Sequence, residues 1–479
     1  MNLKILKNYF FNLIIVFTNI IFPMLLFPYA SRVLTPENFG KYSFGNSIAS
    51  YFITFGTLGI SAYGVREISN LKLKDSQELK KGFTELIILT LISSLVSFAI
   101  FLLMIYGCQE LRVEKKLFLI FSLQVIFSFI TLDYFFIAME KHKRRTYRVL
   151  IIKSISLIFL FLFVKESKDY EIFALIIIVP ELLAKLIDLY SVRDYLDIKQ
   201  KLDLKKHIKS MIIIFIYLFS TTVYLNLDTT MLGILKTNKE VGYYSVAIKM
   251  TKIIIPLITS LGLVLTPEII KNINNKDNNE FFKSIDSYLD FILFFTLPII
   301  IILGFTSERL IFLFSGKEYI LAVIPMQIML PIILLISISG LCAAQVLIPL
   351  GKEKNILKIS IIGLITNIAL NILFIPNYSI VGAAVATVIS ELLVCILRIS
   401  GVKKELKEYK ILKKYRINYI YSSVFIFIVG IFFNKFTFKV NNFIQIFIVG
   451  SSLMILYLIS LLILKDKYLY NLIKKIERK

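Results

Sequence analysis

The residues that could do chemistry in this chain are charges set inside long apolar runs. Lys249 and Lys252 lie about seven to eleven residues inside the run 242–268. At about 1.5 Å of rise per residue they sit well below the surface of any membrane that the run crosses. Their i, i+3 spacing puts both on one helical face. Two cations cannot face hydrocarbon together, so the pair predicts an aqueous lumen or a bound anion, ahead of an internal structural pairing. Asp228, about seven residues from the far end of the run 211–235, is the expected counter-charge. Glu391 lies near the middle of 379–400 with Arg398 at i+7. A carboxyl there can carry a coupling proton or bond a neighbour. Lys153 and Lys185 sit nearer the ends of their runs and can snorkel. Lys185 shares a face with Glu181 and Asp188, which fits either a locally neutralised cluster or a functional site. Asp133 and the pair Asn367/Asn371 read as polar glue between helices. Arg32 and Arg66 stand at run ends, where a cation anchors to the interface.

Enzymatic signatures are missing. The pairs Gly40-Lys41, Gly316-Lys317 and Gly351-Lys352 lack the upstream glycine and the following Ser or Thr of a phosphate loop. There is no paired-aspartate motif at a run end. The two histidines, His142 and His207, fall in basic stretches read as loops, which disfavours a Ser-His-Asp set or a His-based metal site. Cys108, Cys342 and Cys395 are far apart, form no CxxC pattern and read as packing residues. The reading is therefore no enzyme and no cofactor, with the coupling ion, H⁺ or Na⁺, left open.

These charges need elements to hold them. The chain has 479 residues and is 57% hydrophobic, against about 45–50% for a soluble domain. About fourteen apolar runs are long enough to cross a bilayer, near 9–31, 42–64, 83–107, 117–139, 149–165, 172–190, 211–235, 242–268, 288–306, 320–350, 359–376, 379–400, 419–434 and 442–464. They are continuous rather than alternating, which excludes an outer-membrane barrel. The first is too long for a cleavable leader and lacks a small-residue cleavage site. Pro325, Pro331 and Pro349 predict a kinked or tilted passage through 320–350.

The net charge of +23 would suggest nucleic acid in a soluble protein. Here it follows topology instead. The clusters at 72–81, 141–148, 199–209, 403–416 and 474–479 all fall on one side if the runs alternate. Lys and Arg gather on the cytoplasmic side, so both termini are expected in the cytoplasm. All loops are short. That disfavours a membrane glycosyltransferase or polysaccharide polymerase, which would be expected to carry a sizeable external loop.

The chain also repeats. Phe39-Gly40-Lys41-Tyr42-Ser43 opens the second run and Val241-Gly242-Tyr243-Tyr244-Ser245 opens the eighth. Six runs separate them, so the copies are parallel, as in two-bundle transporters. Ile380-Val381-Gly382-Ala383-Ala384 is a third echo, opening the twelfth. The expected division is a six-helix bundle over 1–209, a second over 210–402, and two extra helices with a basic tail over 403–479.

The stretch from Phe27-Pro28-Tyr29 through Leu34-Thr35-Pro36-Glu37-Asn38-Phe39-Gly40 to Phe44, with Leu58-Gly59-Ile60-Ser61-Ala62-Tyr63-Gly64-Val65-Arg66-Glu67-Ile68, resembles the polysaccharide-biosynthesis or O-antigen (Wzx-like) flippases. These belong to the multidrug/oligosaccharidyl-lipid/polysaccharide exporter superfamily. Thr35 is a departure, standing where that family more often has glycine. The resemblance implies an all-α membrane protein of the MATE-like type, with two bundles around a cavity and alternating access. It implies a polyprenyl-diphosphate-linked oligosaccharide as substrate, membrane lipids as surroundings and other polysaccharide-assembly proteins as partners, with no nucleic acid. It points to Arg32, Asp228, Lys249 and Lys252 as cavity residues; Glu391, Arg398, Lys153 and Lys185 stay secondary candidates on their intramembrane charge alone. A cation-coupled multidrug exporter of the same fold would favour acidic residues in the lumen.

Overall fold

The computed structural model describes residues 3–470 and 474, apart from 198, 276, 407–413 and 436–440. The lysines of the expected basic clusters at 407–413 and 475–479 lie outside the described residues. Helix dominates and no strand occurs among the described residues. Long uninterrupted apolar stretches dictate this, because every backbone N–H and C=O in lipid must be satisfied within its own segment.

The helices run in order as α1 (Leu3–Thr57), α2 (Ile60–Lys72), α3 (Ser76–Gly107), α4 (Gln109–Val113), α5 (Lys115–Ile126), α6 (Asp133–Ala138), α7 (His142–Phe163), α8 (Tyr170–Ser191) and α9 (Lys205–Leu235). Then come α10 (Asn238–Lys252), α11 (Ile255–Asn274), α12 (Asn278–Phe314), α13 (Val323–Met329), α14 (Ile332–Gly340), α15 (Glu353–Glu405), α16 (Ile417–Lys435) and α17 (Asn442–Ile463). Among the described residues, nine helices are long and apolar enough to cross a membrane, or ten if a bent pair counts as one passage. Two of these are double. α1 has 55 residues, about 80 Å of straight helix, and its backbone leaves the helical region at Thr35 (φ 62°, ψ 165°). The rings of Phe27 and Phe39 lie 5.7 Å apart across that point, so the chain doubles back there. α15 breaks in the same way at Ser379 (φ 49°, ψ −126°). With these splits, and with α8 and α16, the order matches the fourteen expected runs.

Passage ten is the kinked one. α13 and α14 meet at 46° around Pro331, and the helix then widens into a π-helical stretch, Leu341–Leu347. A proline lacks the N–H for the i−4 bond and its ring crowds that carbonyl, which accounts for the bend.

The chain forms two compact units, Met1–Gly242 and Tyr243–Lys479. In the first, Tyr63, Phe83, Tyr134, Phe135 and Met211 pack together in a core at the basic side. In the second, Phe294 of α12 packs with Tyr419, Leu453 and Tyr457 of α16 and α17. A buried clasp fixes that pair of helices. Arg416 donates from Nε to Asp290 at 2.6 Å and from Nη2 to Asp286 at 2.7 Å, and the Tyr415 hydroxyl donates to Asp290 at 2.9 Å.

Candidate functional site

The run 242–268, read from sequence as one continuous span, is broken. α10 stops at Lys252, residues 253 and 254 turn, and α11 restarts with Pro256 near its first position. Proline suits a helix start because its missing N–H would have no helical partner there. Lys249 and Lys252 therefore lie in the last turn of a helix that ends within the span. Free carbonyls gather at such an end and carry partial negative charge, which favours cations. Lys249 is solvent-accessible, while Val246, Ala247 and Met250 beside it are buried. Lys252 is half-buried.

The other expected residues fall at separate places. Asp228 is buried in α9, within electrostatic reach of the Tyr51 hydroxyl. Arg32 is exposed, three residues before the break in α1. Lys153 of α7 donates to the Asn19 side chain at 2.6 Å, with the Phe22 ring 5.0 Å from its ammonium. In the second unit, Glu391 is buried in α15. One turn pair onward, Arg398 donates to the Ser339 hydroxyl at 2.9 Å and to Ser360 at 3.3 Å. Asn371 donates to Asn367 at 3.2 Å along the same helix.

Three readings change. Lys185 pairs with Glu181 at 3.1 Å, but Asp188 does not complete a local cluster with them. It turns instead to Arg148, with Arg144 at 3.9 Å. Asp133 is more than polar glue, since it pairs with the same Arg148 and with Arg145 at 3.2 Å. Spacing within one helix revealed the i, i+4 pair and could not reveal partners 15 and 40 residues away. The available signal was three arginines, 144, 145 and 148, beside two acids buried in apolar runs.

His207 is the third. It lies in no open loop but is fully buried at the start of α9. Its Nδ1 shares a hydrogen bond with the Tyr63 hydroxyl at 2.7 Å, and its Nε2 lies 2.9 Å from Glu85. Glu85, also fully buried, accepts from Lys206 at 2.7 Å and from the backbone N–H of Asp203 at 2.7 Å. A buried carboxylate is tolerable only when surrounded by donors in this way. The Asp197 N–H donates to Thr84 at 2.8 Å. The connection between α8 and α9 is thus stitched onto the end of α3.

Repeat glycines meet at the far side from this clasp. A Cβ on Gly40 would stand 1.7 Å from the Asn238 carbonyl oxygen, and one on Gly242 would stand 1.9 Å from that of Pro36. The two motif copies therefore lie on one membrane face, as parallel repeats require.

A multi-pass all-α architecture with broken helices and intramembrane charge is the kind found in two-bundle transporters. The solved structure of "Lipid II flippase MurJ, inward closed conformation" is similar over 96% of this chain and 99% of that one, with TM-score 0.72 and 20% identity. An inward-facing multidrug resistance MATE family transporter of the MOP superfamily matches 81% of this chain and 94% of its own, with TM-score 0.62 and 11% identity. The model of the polysaccharide biosynthesis protein family matches residues 5–273, and the chain belongs to that family. A Shigella dysenteriae protein named as an O-antigen transporter is 23% identical over 397 residues, covering 80% of this chain and 96% of its own. One so named from Escherichia coli K12 is 25% identical over 409 residues, covering 84% and 97%.

Proposed function

We propose that this protein is a flippase, moving a polyprenyl-diphosphate-linked oligosaccharide from the inner to the outer leaflet of the bacterial cytoplasmic membrane. The observation that carries the reading is likeness along nearly the whole length of proteins named as O-antigen transporters. The fold shared with a lipid II flippase supports it. So does the charge, because a diphosphate must cross a low-dielectric interior where an unpaired anion is strongly disfavoured. Lys249 and Lys252 supply positive charge partway along that route, and Arg32 supplies it near the far side. Accessibility at Lys249 amid buried neighbours is what a cavity-lining cation would show. Asp228 is assigned to hold a lysine when the cavity is empty. Glu391, Arg398, Lys153 and Lys185 are assigned secondary places on the route or in coupling. On this reading the basic side is cytoplasmic, both termini are inside, and the repeats over 1–209 and 210–402 are the two bundles that enclose the cavity. Other proteins of polysaccharide assembly are its expected partners.

Complementation of a flippase-deficient strain tests the site. Lys249→Ala or Lys252→Ala lowers surface polysaccharide without reducing protein in the membrane, and Arg restores more than Gln. Full surface glycan from the double Ala variant would make the pair structural, leaving helix-end neutralisation as its role. A multidrug exporter of this fold would instead leave glycan unaffected in a knockout and change drug resistance.

A further inference from the structure

The far end of the first unit, beside the contact of Gly40 with Asn238, holds a small cavity of about 210 Å³. Four elements converge on it. The part of α1 beyond Thr35 supplies Lys41 and, three residues on and so on the same face, Phe44. The junction of α4 and α5 supplies Glu114, and α5 supplies Phe118 four residues later. Gly233 lines it near the end of α9, and Asn238 at the start of α10. Val113, 78% exposed, stands at the mouth.

The polar groups are held in place by the protein itself. The Lys41 ammonium lies 2.8 Å from one oxygen of Glu114, and the Tyr170 hydroxyl donates to the other at 2.8 Å. The Tyr170 ring is 5.3 Å from the same ammonium. The two charged side chains are only 19% and 15% exposed. Each still has bonding capacity to spare, the ammonium in N–H groups and the carboxylate in lone pairs, and Asn238 adds an amide that donates and accepts. The rings of Phe44 and Phe118 are buried beside them, edge to face, with centroids 6.1 Å apart.

Charge decides what class of ligand suits this cavity. Lys41 and Glu114 cancel, so an anion meets the carboxylate and a cation meets the ammonium. A hydrocarbon chain would strip water from the pair and return no hydrogen bond. A hydroxyl both donates and accepts, so a neutral polyol answers the ammonium, the carboxylate and the amide together. Its weakly positive C–H groups suit the negative face of an aromatic ring. A sugar ring joins hydroxyls and C–H faces in one rigid body, and the volume holds a single ring. We propose that the cavity of Lys41, Glu114, Asn238, Phe44 and Phe118 is a binding site for one neutral sugar residue. Its place in transport rests on the flippase reading, in which the far end is the outer face and the residue belongs to the oligosaccharide as it leaves. The sugar site itself does not rest on that reading.

The chain contains no tryptophan, so Val113→Trp sets a single indole at the mouth as a fluorescent reporter. The full chain in detergent is titrated with the methyl glycosides of glucose, galactose, mannose, rhamnose and N-acetylglucosamine. Oligosaccharide released by mild acid from the source organism's surface polysaccharide is the sixth probe. Saturation-transfer NMR on the unsubstituted chain repeats the panel without the reporter. At least one probe is expected to saturate, with Kd about 1–10 mM for so small a ligand. Lys41→Met combined with Glu114→Gln replaces the ion pair by neutral groups of similar shape and is expected to weaken binding about tenfold. Asn238→Ala, outside the ion pair, is expected to do the same and carries the test if the double variant fails to fold. Unfolding temperature and gel-filtration profile are the checks on folding. No saturation by any probe in either measurement would overturn the site, as would an unchanged Kd in the folded variants. Tighter binding of inorganic phosphate or choline than of every sugar would overturn the neutral class. Complementation keeps the two readings apart. Sugar binding by a protein that restores no surface glycan leaves the site standing and refutes the flippase reading, whereas full complementation with no sugar binding refutes the site alone.

Discussion

Thr35 shows how much one side chain can report. Its φ of 62° and ψ of 165° lie where glycine alone is at ease. It stands where the resembling family more often has glycine, and the strain is the physical reason for that preference. Thr35→Gly should raise stability by about 1 kcal/mol, the relief of strain less the added chain entropy, read as a higher unfolding temperature in detergent. An unchanged or lower midpoint would mean that the hydroxyl or methyl has a compensating role. Glu85 lies at the opposite extreme, with every bond made. Glu85→Ala should lose about 3 kcal/mol, because the imidazole, the ammonium and an amide are left without their acceptor. Asp466, just beyond α17, is pushed above the usual carboxylate range by burial, against two backbone N–H groups of Leu469 and Tyr468 that pull it down. An acid whose folded value is raised binds its proton more tightly folded than unfolded, so stability falls as pH rises through that interval. Asp466→Asn keeps the backbone bonds and removes the charge. Its stability advantage over wild type should grow from pH 4 to pH 7, and a constant difference would refute the assignment.

At the scale of elements, the helices were legible and their breaks only partly so. Continuous apolarity located each passage, and prolines foretold the kink of passage ten. Pro256 stands at the restart of α11, yet the run 242–268 reads as continuous through it, and the stop after Lys252 carries no signal of its own, since lysine is a good helix former. The repeat glycines were legible as a motif, and the structure supplies their reason. Gly40→Ala or Gly242→Ala should cost about 1–3 kcal/mol, because the atom in the way is a backbone carbonyl that cannot rotate aside. Gly107→Ala is the control, as nothing lies within 4 Å of its added carbon. Equal effects at the three positions would show that helix propensity, rather than contact, decides.

For the whole molecule, the sequence conveyed class, passage number and repeat because these depend on composition and period. It did not convey which charges meet. Asp133, Arg148 and Asp188 come from three helices, and only tertiary packing brings them together. Lys249 and Lys252 were legible as unusual because hydrocarbon makes any cation so. The proposed orientation is checked by a single cysteine placed after Leu464 in a cysteine-free background. An impermeant reagent should reach it only after the cells are opened, and labelling in intact cells would invert the topology.

The Arg416 clasp has a consequence for synthesis. Asp290 and its donor are 126 residues apart. At about 5–20 residues per second, roughly 6–25 s pass between their emergence from the ribosome. For that interval α12 carries two carboxylates one turn apart, already at the membrane, whose guanidinium has not yet been made. Nascent chains halted before residue 416 should therefore be held by insertion chaperones or degraded, although every helix of the six-plus-six repeat is already present. On that expectation the last two helices would act as a completion signal, read by the cell's quality control when Arg416 arrives.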